Sequence, residues 1–423
     1  MGPAALPENC DHSVDTLVIG AGHAGLAASY FLARRSIEHV VLERGEVANS
    51  WRRERWDSLR LFTPNWQAQL PGYGYTGDDP DGFMAVKEVI GFIDDYAKHC
   101  SAPVQTATTV TMVSPAEAGY GVDTDRGNWH CRSLIIASGA CNLPVIPAFA
   151  ASLPGDILQL SSREYRNPAQ LRQGGVIVVG ASATGLQLAE EIFRAGHPVT
   201  LATGEHVRLP RIYRGRDIQW WMHATGVLDE GLDDVDDINR ARRLPSPQLV
   251  GSRKRDIMDL NVLTGLGIRL VGRWMAVNNG MAQFSGSLAN VCALADLKMN
   301  RLLNAIDEWV SETGRDGEFG PSHRFSATRV DATPCLGLDL VKENIQNVIW
   351  ATGYRPDYAW LNVPVLDRKG WIKHQGGIAE APGMYVLGMP FLRCRKSSFI
   401  HGIEDDARFV SNHLDDYLKK KRR

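Results

Sequence analysis

Twice along the chain an aliphatic run breaks into a glycine-rich turn. The first reads LVIGAGHAG, with Gly20, Gly22 and Gly25; 160 residues later comes IVVGASATG, with Gly180, Ser182, Thr184 and Gly185. Around the first turn, Leu17–Ile19 are apolar and β-prone, as a buried parallel strand requires. A helix follows, carrying Leu26, Ala27, Tyr30, Phe31 and Ala33, and then a second strand, His39–Leu42, that closes on Glu43. Each glycine has a physical task. Gly20 permits the tight turn, Gly22 lets the backbone approach a pyrophosphate, and Gly25 lets the helix pack on the strand. The helix N-terminus offers free N–H groups to the anion. Glu43 can accept hydrogen bonds from both hydroxyls of an adenosine ribose. Strand, turn, helix and terminal acid together are the signature of a dinucleotide site.

The second unit repeats the pattern from strand 176–179 through a helix to strand 198–202, with two changes. Ser182 stands where the first turn has its middle glycine. Thr203 stands where the first unit has Glu43. An acid at that position would repel a 2′-phosphate, whereas a hydroxyl followed by Arg208, Arg211 and Arg214 could hold one, guanidinium groups being suited to phosphate. The first unit is therefore read as an FAD site and the second as an NADPH site. A chain that binds both brings a nicotinamide onto a flavin for hydride transfer.

The bulk properties fit an ordinary globular protein of two or three domains: 423 residues, 44% hydrophobic, 22% charged, formal net charge −2. That charge gives no support for a nucleic-acid partner. No apolar run is long enough to cross a membrane. The N-terminal MGPAALPENC lacks the features of a secretory signal or a myristoylation site, and LKKKRR at the other end reads as a solvated terminus. Seven scattered cysteines without a CxxC pair suit a reducing, cytoplasmic setting and provide neither a disulfide framework nor a metal site. The runs 81–100 and 290–310 are expected as structural helices. Trp220 and Trp221 are expected on a third, as core residues first and pocket residues second.

Further segments carry a resemblance. SLIIASGACNLPVIP (133–147) and NVIWATGYRPDY (347–358) look like the two crossover strands of flavoproteins with paired dinucleotide domains, and GMYVLGMP (383–390) resembles a late flavin-binding strand. VANSWRRERWDSLRLFTPNW (47–66) and SSREYRNPAQLRQGGVIVVGASATG (161–185) resemble the class B flavoprotein monooxygenases, the flavin-containing and Baeyer–Villiger type, in their short bacterial form. The resemblance implies an α/β fold of two Rossmann-like domains, the NADP domain (156–345) inserted between two parts of the FAD domain (1–155 and 346–423).

It also implies site residues. For FAD these are Gly20, Gly22, Gly25, Glu43, Arg44, Trp51, Thr63, Ser138, Gly139, Gly388, Ile400 and Gly402. For NADP they are Gly180, Ser182, Thr184, Gly185, Thr203, Arg208, Arg211, Thr352 and Gly353. Asn65 and His401 are the catalytic candidates: Asn65 for hydrogen bonding near the flavin C4a atom and the nicotinamide, His401 as the one side chain there able to change protonation near neutral pH. Two positions depart from the family pattern. Ser161 aligns with a histidine linked to coupling NADPH oxidation with oxygenation, and Met389 stands where an aspartate often follows the glycine.

The implied activity is NADPH- and O2-dependent oxygenation of a small, largely apolar molecule through a C4a-(hydro)peroxyflavin. It would act at nitrogen or sulfur, or beside a ketone in Baeyer–Villiger fashion. Two alternatives stand beside it: an NADPH–flavin oxidoreductase without oxygen insertion, and a non-enzymatic redox sensor. A homodimer is left open.

Overall fold

The computed structural model describes residues 11–421. The readings made on residues 1–10 and on Arg422 and Arg423 lie outside the described residues. Two parallel sheets dominate. The first unit runs from β1 (Asp11–Ile19) through α1 (His23–Ala33) to β2 (His39–Leu42), followed by β3 (Val104–Gln105) and β4 (Gly127–Ile136). The second runs from β5 (Leu158–Ser161) through β6 (Gly175–Val179), α2 (Ala183–Arg194) and β7 (Val199–Ala202). A mostly irregular stretch with short helices then holds α3 (Ile218–Ala224) and α4 (Leu260–Leu266), followed by β8 (Arg269–Val271), α5 (Leu288–Glu312) and β9 (Ile345–Trp350). The chain returns to the first sheet with β10 (Met384–Val386) and ends in α6 (Ile403–Lys421).

Strand order in the first sheet is β10-β4-β1-β2-β3, all parallel, extended by short antiparallel strands beyond β10 and by a hairpin on β4. In the second it is β5-β9-β6-β7-β8, also parallel. Each glycine-turn strand thus sits between the strand that follows its helix and a crossover strand arriving from far along the chain.

Both faces of these sheets are covered, as all-parallel sheets require. In β6 the alternation of side chains sends Val176 and Val178 toward Leu186 and Ala189 of α2. Ile177 and Val179 go to the opposite face, toward Trp274 and Trp350. Helix α1 is buried nearly all round because α6 covers the side turned away from the sheet.

The expected helices are present at Val86–His99 and in α5. The apolar stripe of α5 is Leu288, Cys292, Ala295, Met299, Leu303, Ile306 and Val310, while Leu294 and Leu297 face outward. Trp221 is fully buried among Tyr213, Leu303 and Ile306, so core packing describes it. The domain boundary expected between 345 and 346 requires correction. β9 begins at Ile345 and is a central strand of the second sheet, paired on both sides, so that unit extends through Trp350.

Candidate functional site: two glycine turns and the loops between them

The two turns share one geometry. Gly20 and Gly180 adopt φ of +107° and +109°, where a side chain is strained. A Cβ on Gly20 would fall 2.5 Å from the Ala137 carbonyl oxygen, and on Gly180 2.3 Å from that of Ala351. A Cβ on Gly25 or Gly185 would fall 1.9 or 1.7 Å from the carbonyl oxygen of Gly20 or Gly180, so each helix lies directly against its turn. Gly22 differs: an added Cβ there meets nothing within 4 Å, which leaves an open face at the start of α1. Gly139 and Gly353, just past the crossover strands, have positive φ and equally open surroundings.

The first unit gathers its expected residues around that open face. Glu43, buried at the end of β2, accepts hydrogen bonds from Ala21 N (2.9 Å) and Gly45 N (3.0 Å), which fixes its carboxylate at the turn. Ala48 N donates to Ala21 O (3.1 Å) and so hangs the short helix carrying Trp51 from the same turn. Gly388 follows β10 with its Cβ position 3.0 Å from Ala24 Cβ. Two buried polar atoms here have no protein partner, Ser138 Oγ and His23 Nε2; burial pushes the His23 imidazole down to about 4. Arg44 pairs with the buried Glu54, which also holds Arg163 at 2.5 Å. An open cradle, a fixed carboxylate and unpartnered buried atoms fit a bound dinucleotide.

Thr63 and Asn65 lie on a segment that meets the turn before α6. Phe62 packs edge-on against Phe399 at 5.7 Å, and the strand Gln69–Leu70 packs against Ile400–Gly402. Asn65 is buried, its Nδ2 donating to Asp79 O (2.9 Å) and its Oδ1 free to accept. Gly402 is required as glycine, since a Cβ would fall 1.8 Å from Lys396 O.

His401 departs from expectation. Burial first, then the neighbouring Lys396 and His223, lower its imidazole to about 4, against a weaker opposing effect of Asp229. It is therefore a neutral imidazole near pH 7, with Nε2 buried and unpartnered, and does not titrate there.

In the second unit, Ser182, Thr184 and Gly185 open α2, and Thr203 closes β7 with its Oγ1 buried and unpartnered. Thr352 Oγ1 donates to Val145 O. Gln248, missed in the sequence because nothing local marks it, donates to Ala181 O at 2.8 Å and leaves its buried Oε1 free.

The arginines do not fill the role expected of them. Arg208 is buried between Asp259 and Asp296, at 2.6 Å from each, and also donates to Ser326 O. Arg211 is buried against Asp217 at 2.5 Å and donates to Phe62 O at 2.7 Å. Arg214 pairs with Asp307 and Asp316. Their charges are spent on internal carboxylates. Arg211 instead latches the second unit to the Phe62–Asn65 segment.

Both family departures have a structural account. Ser161 N and Oγ donate to Glu164 Oε2 at 2.8 and 2.7 Å, a capping arrangement that engages the hydroxyl. Met389 is buried and receives the Tyr358 hydroxyl on its sulfur at 3.5 Å, so the position serves the core.

Comparison with known proteins agrees with this architecture. The sequence pattern described as pyridine nucleotide-disulphide oxidoreductase matches residues 17–215. A CzcO-like oxidoreductase of Geobacillus kaustophilus is 30% identical over 406 residues, covering 95% of this chain and 99% of that one. Indole-3-pyruvate monooxygenase YUCCA1 of Oryza sativa is 26% identical over 200 residues, 46% of this chain and 49% of its own. Among solved structures, a flavin-containing monooxygenase from Stenotrophomonas maltophilia superposes with a TM-score of 0.66 at 20% identity, covering 96% of this chain and 99% of that one. The chain belongs to the CzcO-like oxidoreductases, flavoprotein relatives of the flavin-containing monooxygenases with the paired dinucleotide-domain fold.

Proposed function

We propose that the protein binds FAD at the first turn and NADPH at the second and oxygenates a small organic molecule, at nitrogen, at sulfur or beside a ketone. The observation that carries this reading is the contrast between two turns of one geometry. One ends on a fixed carboxylate, Glu43, and the other on an unpartnered hydroxyl, Thr203. A carboxylate suits the unphosphorylated ribose of FAD, and a hydroxyl tolerates a 2′-phosphate.

When bound, the flavin supplies hydride acceptance from the nicotinamide and the activation of O2. The chain's own residues bind, orient and shield. Gly22 admits the pyrophosphate to the α1 N-terminus, and Glu43 receives the ribose hydroxyls. Asn65 presents an acceptor oxygen beside the expected ring position. His401 stays neutral, so it brings no acidic proton into a site where excluding water and acids favours oxygenation over peroxide release. No CxxC pair is present in the sequence to pass electrons to a disulfide.

A second reading, an NADPH–flavin oxidoreductase without oxygen insertion, is favoured by one observation. The hydroxyl at Ser161, the position of the family's coupling histidine, is engaged by Glu164.

Substrate-dependent NADPH oxidation under isotopically labelled O2 separates the two. The monooxygenase reading expects label in product for at least one amine, sulfide or ketone of a panel. Full recovery of reducing equivalents as peroxide for every member supports the reductase. Protein that stays colourless with excess FAD removes both.

A further inference from the structure

With Arg208, Arg211 and Arg214 committed to internal carboxylates, the second unit needs another cation if it is to prefer a phosphorylated ribose. The geometry points to Arg273 as the residue that receives the 2′-phosphate, a deepening that rests on the NADPH reading above. The location follows from register. Ile19 pairs with Leu42 in the first unit and Val179 with Ala202 in the second, so Thr203 occupies the place of Glu43 and Gly204 that of Arg44. The ribose end of the second site is therefore at Thr203–Gly204, at the carboxyl ends of the parallel strands where such sheets bind nucleotides.

Arg273 reaches that point from the neighbouring strand. β7 and β8 are parallel partners, and Thr203 N donates to Val271 O at 2.9 Å, so the two strand ends lie side by side. Arg273 comes two residues after β8, and its Nε lies 3.6 Å from the Cβ position of Gly204. A Cβ at Gly204 would meet that nitrogen at ordinary contact distance, so only a longer side chain there would compete with the guanidinium.

The backbone there is held firmly. Gly272 approaches so closely that a Cβ would fall 1.9 Å from Ser285 O, and Ser285 N donates to Arg273 O at 2.9 Å. The side chain itself is exposed, and among the described residues no carboxylate lies within ion-pair distance of it. The adjacent carboxylate, Glu205, faces Lys298 at 3.4 Å, which offsets the repulsion it would otherwise exert on a phosphate. A guanidinium without a carboxylate partner stands on a fixed corner beside Gly204, and the preceding residue, Thr203, has a buried Oγ1 without a partner. That set is suited to a phosphate dianion attached to a ribose, since the planar fork can engage two oxygens at once.

The test is calorimetric titration of flavin-loaded protein with NADP+, NAD+ and adenosine 2′,5′-bisphosphate. Arg273→Ala is expected to weaken NADP+ and the bisphosphate by about ten- to a hundredfold, the range of a charge-assisted contact. NAD+ affinity should change by less than about twofold, a single screened charge at the surface having little reach beyond its phosphate. Arg273→Lys should fall between. Unchanged NADP+ affinity in Arg273→Ala, or an equal loss for NAD+, overturns the assignment while leaving the second site in place. Failure of the wild-type protein to bind either nucleotide would remove the NADPH reading, and this inference with it.

Discussion

Replacing Arg208 by alanine separates a structural arginine from a cofactor-binding one. Its guanidinium donates through Nε and Nη2 to Asp259 Oδ2, at 3.2 and 2.6 Å, and through Nη1 to Asp296 Oδ1 at 2.6 Å and Ser326 O at 2.9 Å. All three ionic residues are buried. Asp259 also caps α4 through Val262 N, and Asp296 holds Thr328 through its backbone N and Oγ1. Arg208→Ala leaves two buried carboxylates with their lesser partners and no cation. Breaking a buried pair in this way costs about 3–5 kcal/mol, far more than an exposed pair.

The expected outcome is a clear fall in the urea-unfolding midpoint, read by far-UV circular dichroism. The preference of the remaining folded protein for NADP+ over NAD+ should be unchanged. Replacing both acids as well, Asp259→Asn and Asp296→Asn with Arg208→Met, should recover most of that loss, because each Asn retains an acceptor, for Val262 N and for Thr328. A stable Arg208→Ala protein that has lost NADP+ selectivity would refute the reasoning and return Arg208 to the phosphate.

Three other expectations follow from the geometry. Gly22→Ala should fold with near wild-type stability, because its Cβ meets nothing, yet retain less FAD through purification; an undiminished flavin absorbance would contradict the cradle. Gly185→Ala, whose Cβ would fall 1.7 Å from a backbone oxygen, should displace α2 and lose NADP+ binding in titration while the protein stays yellow. Asp406 is buried, with Arg393 Nη1 at 3.9 Å from its Oδ1, and burial raises its carboxyl to about 6 from 3.8, against the weaker pull of Ser397 and Arg393. The folded state therefore holds this proton more tightly than the unfolded chain. Its contribution is present below about pH 4 and is lost as pH rises through 6, a difference of about 3 kcal/mol at most. Asp406→Asn should consequently raise the unfolding midpoint at pH 8 and barely change it at pH 4; an equal effect at both would argue against a buried charge.

What could be read in the chain, and what could not, divides along physical lines. The turns at Gly20 and Gly180 were legible because close approach of helix and strand admits one residue type at fixed spacing, and Glu43 because it ends the strand that follows. The arginines after Thr203 were misread. Asp259 and Asp296 lie 51 and 88 residues from Arg208, and no local pattern announces so distant a partner. Arg273 escaped notice for the converse reason: its relation to Gly204 exists only because β7 and β8 are neighbours. The protonation of His401 depends on enclosure and on Lys396 and His223, which come from other elements. The boundary at 345 failed because an aliphatic strand looks the same whichever sheet receives it.

The place of β9 in the second sheet bears on how this protein is made. Its six residues sit between β5 and β6, yet they are synthesised after everything else in that sheet. Until residues 345–350 are made, one edge of β6 has unpaired backbone groups, and β5 lacks its partner in the sheet. A chain that stops short of Ile345 therefore leaves β5 and β6 without the strand that joins them, and this sheet closes only once residues 345–350 are in place.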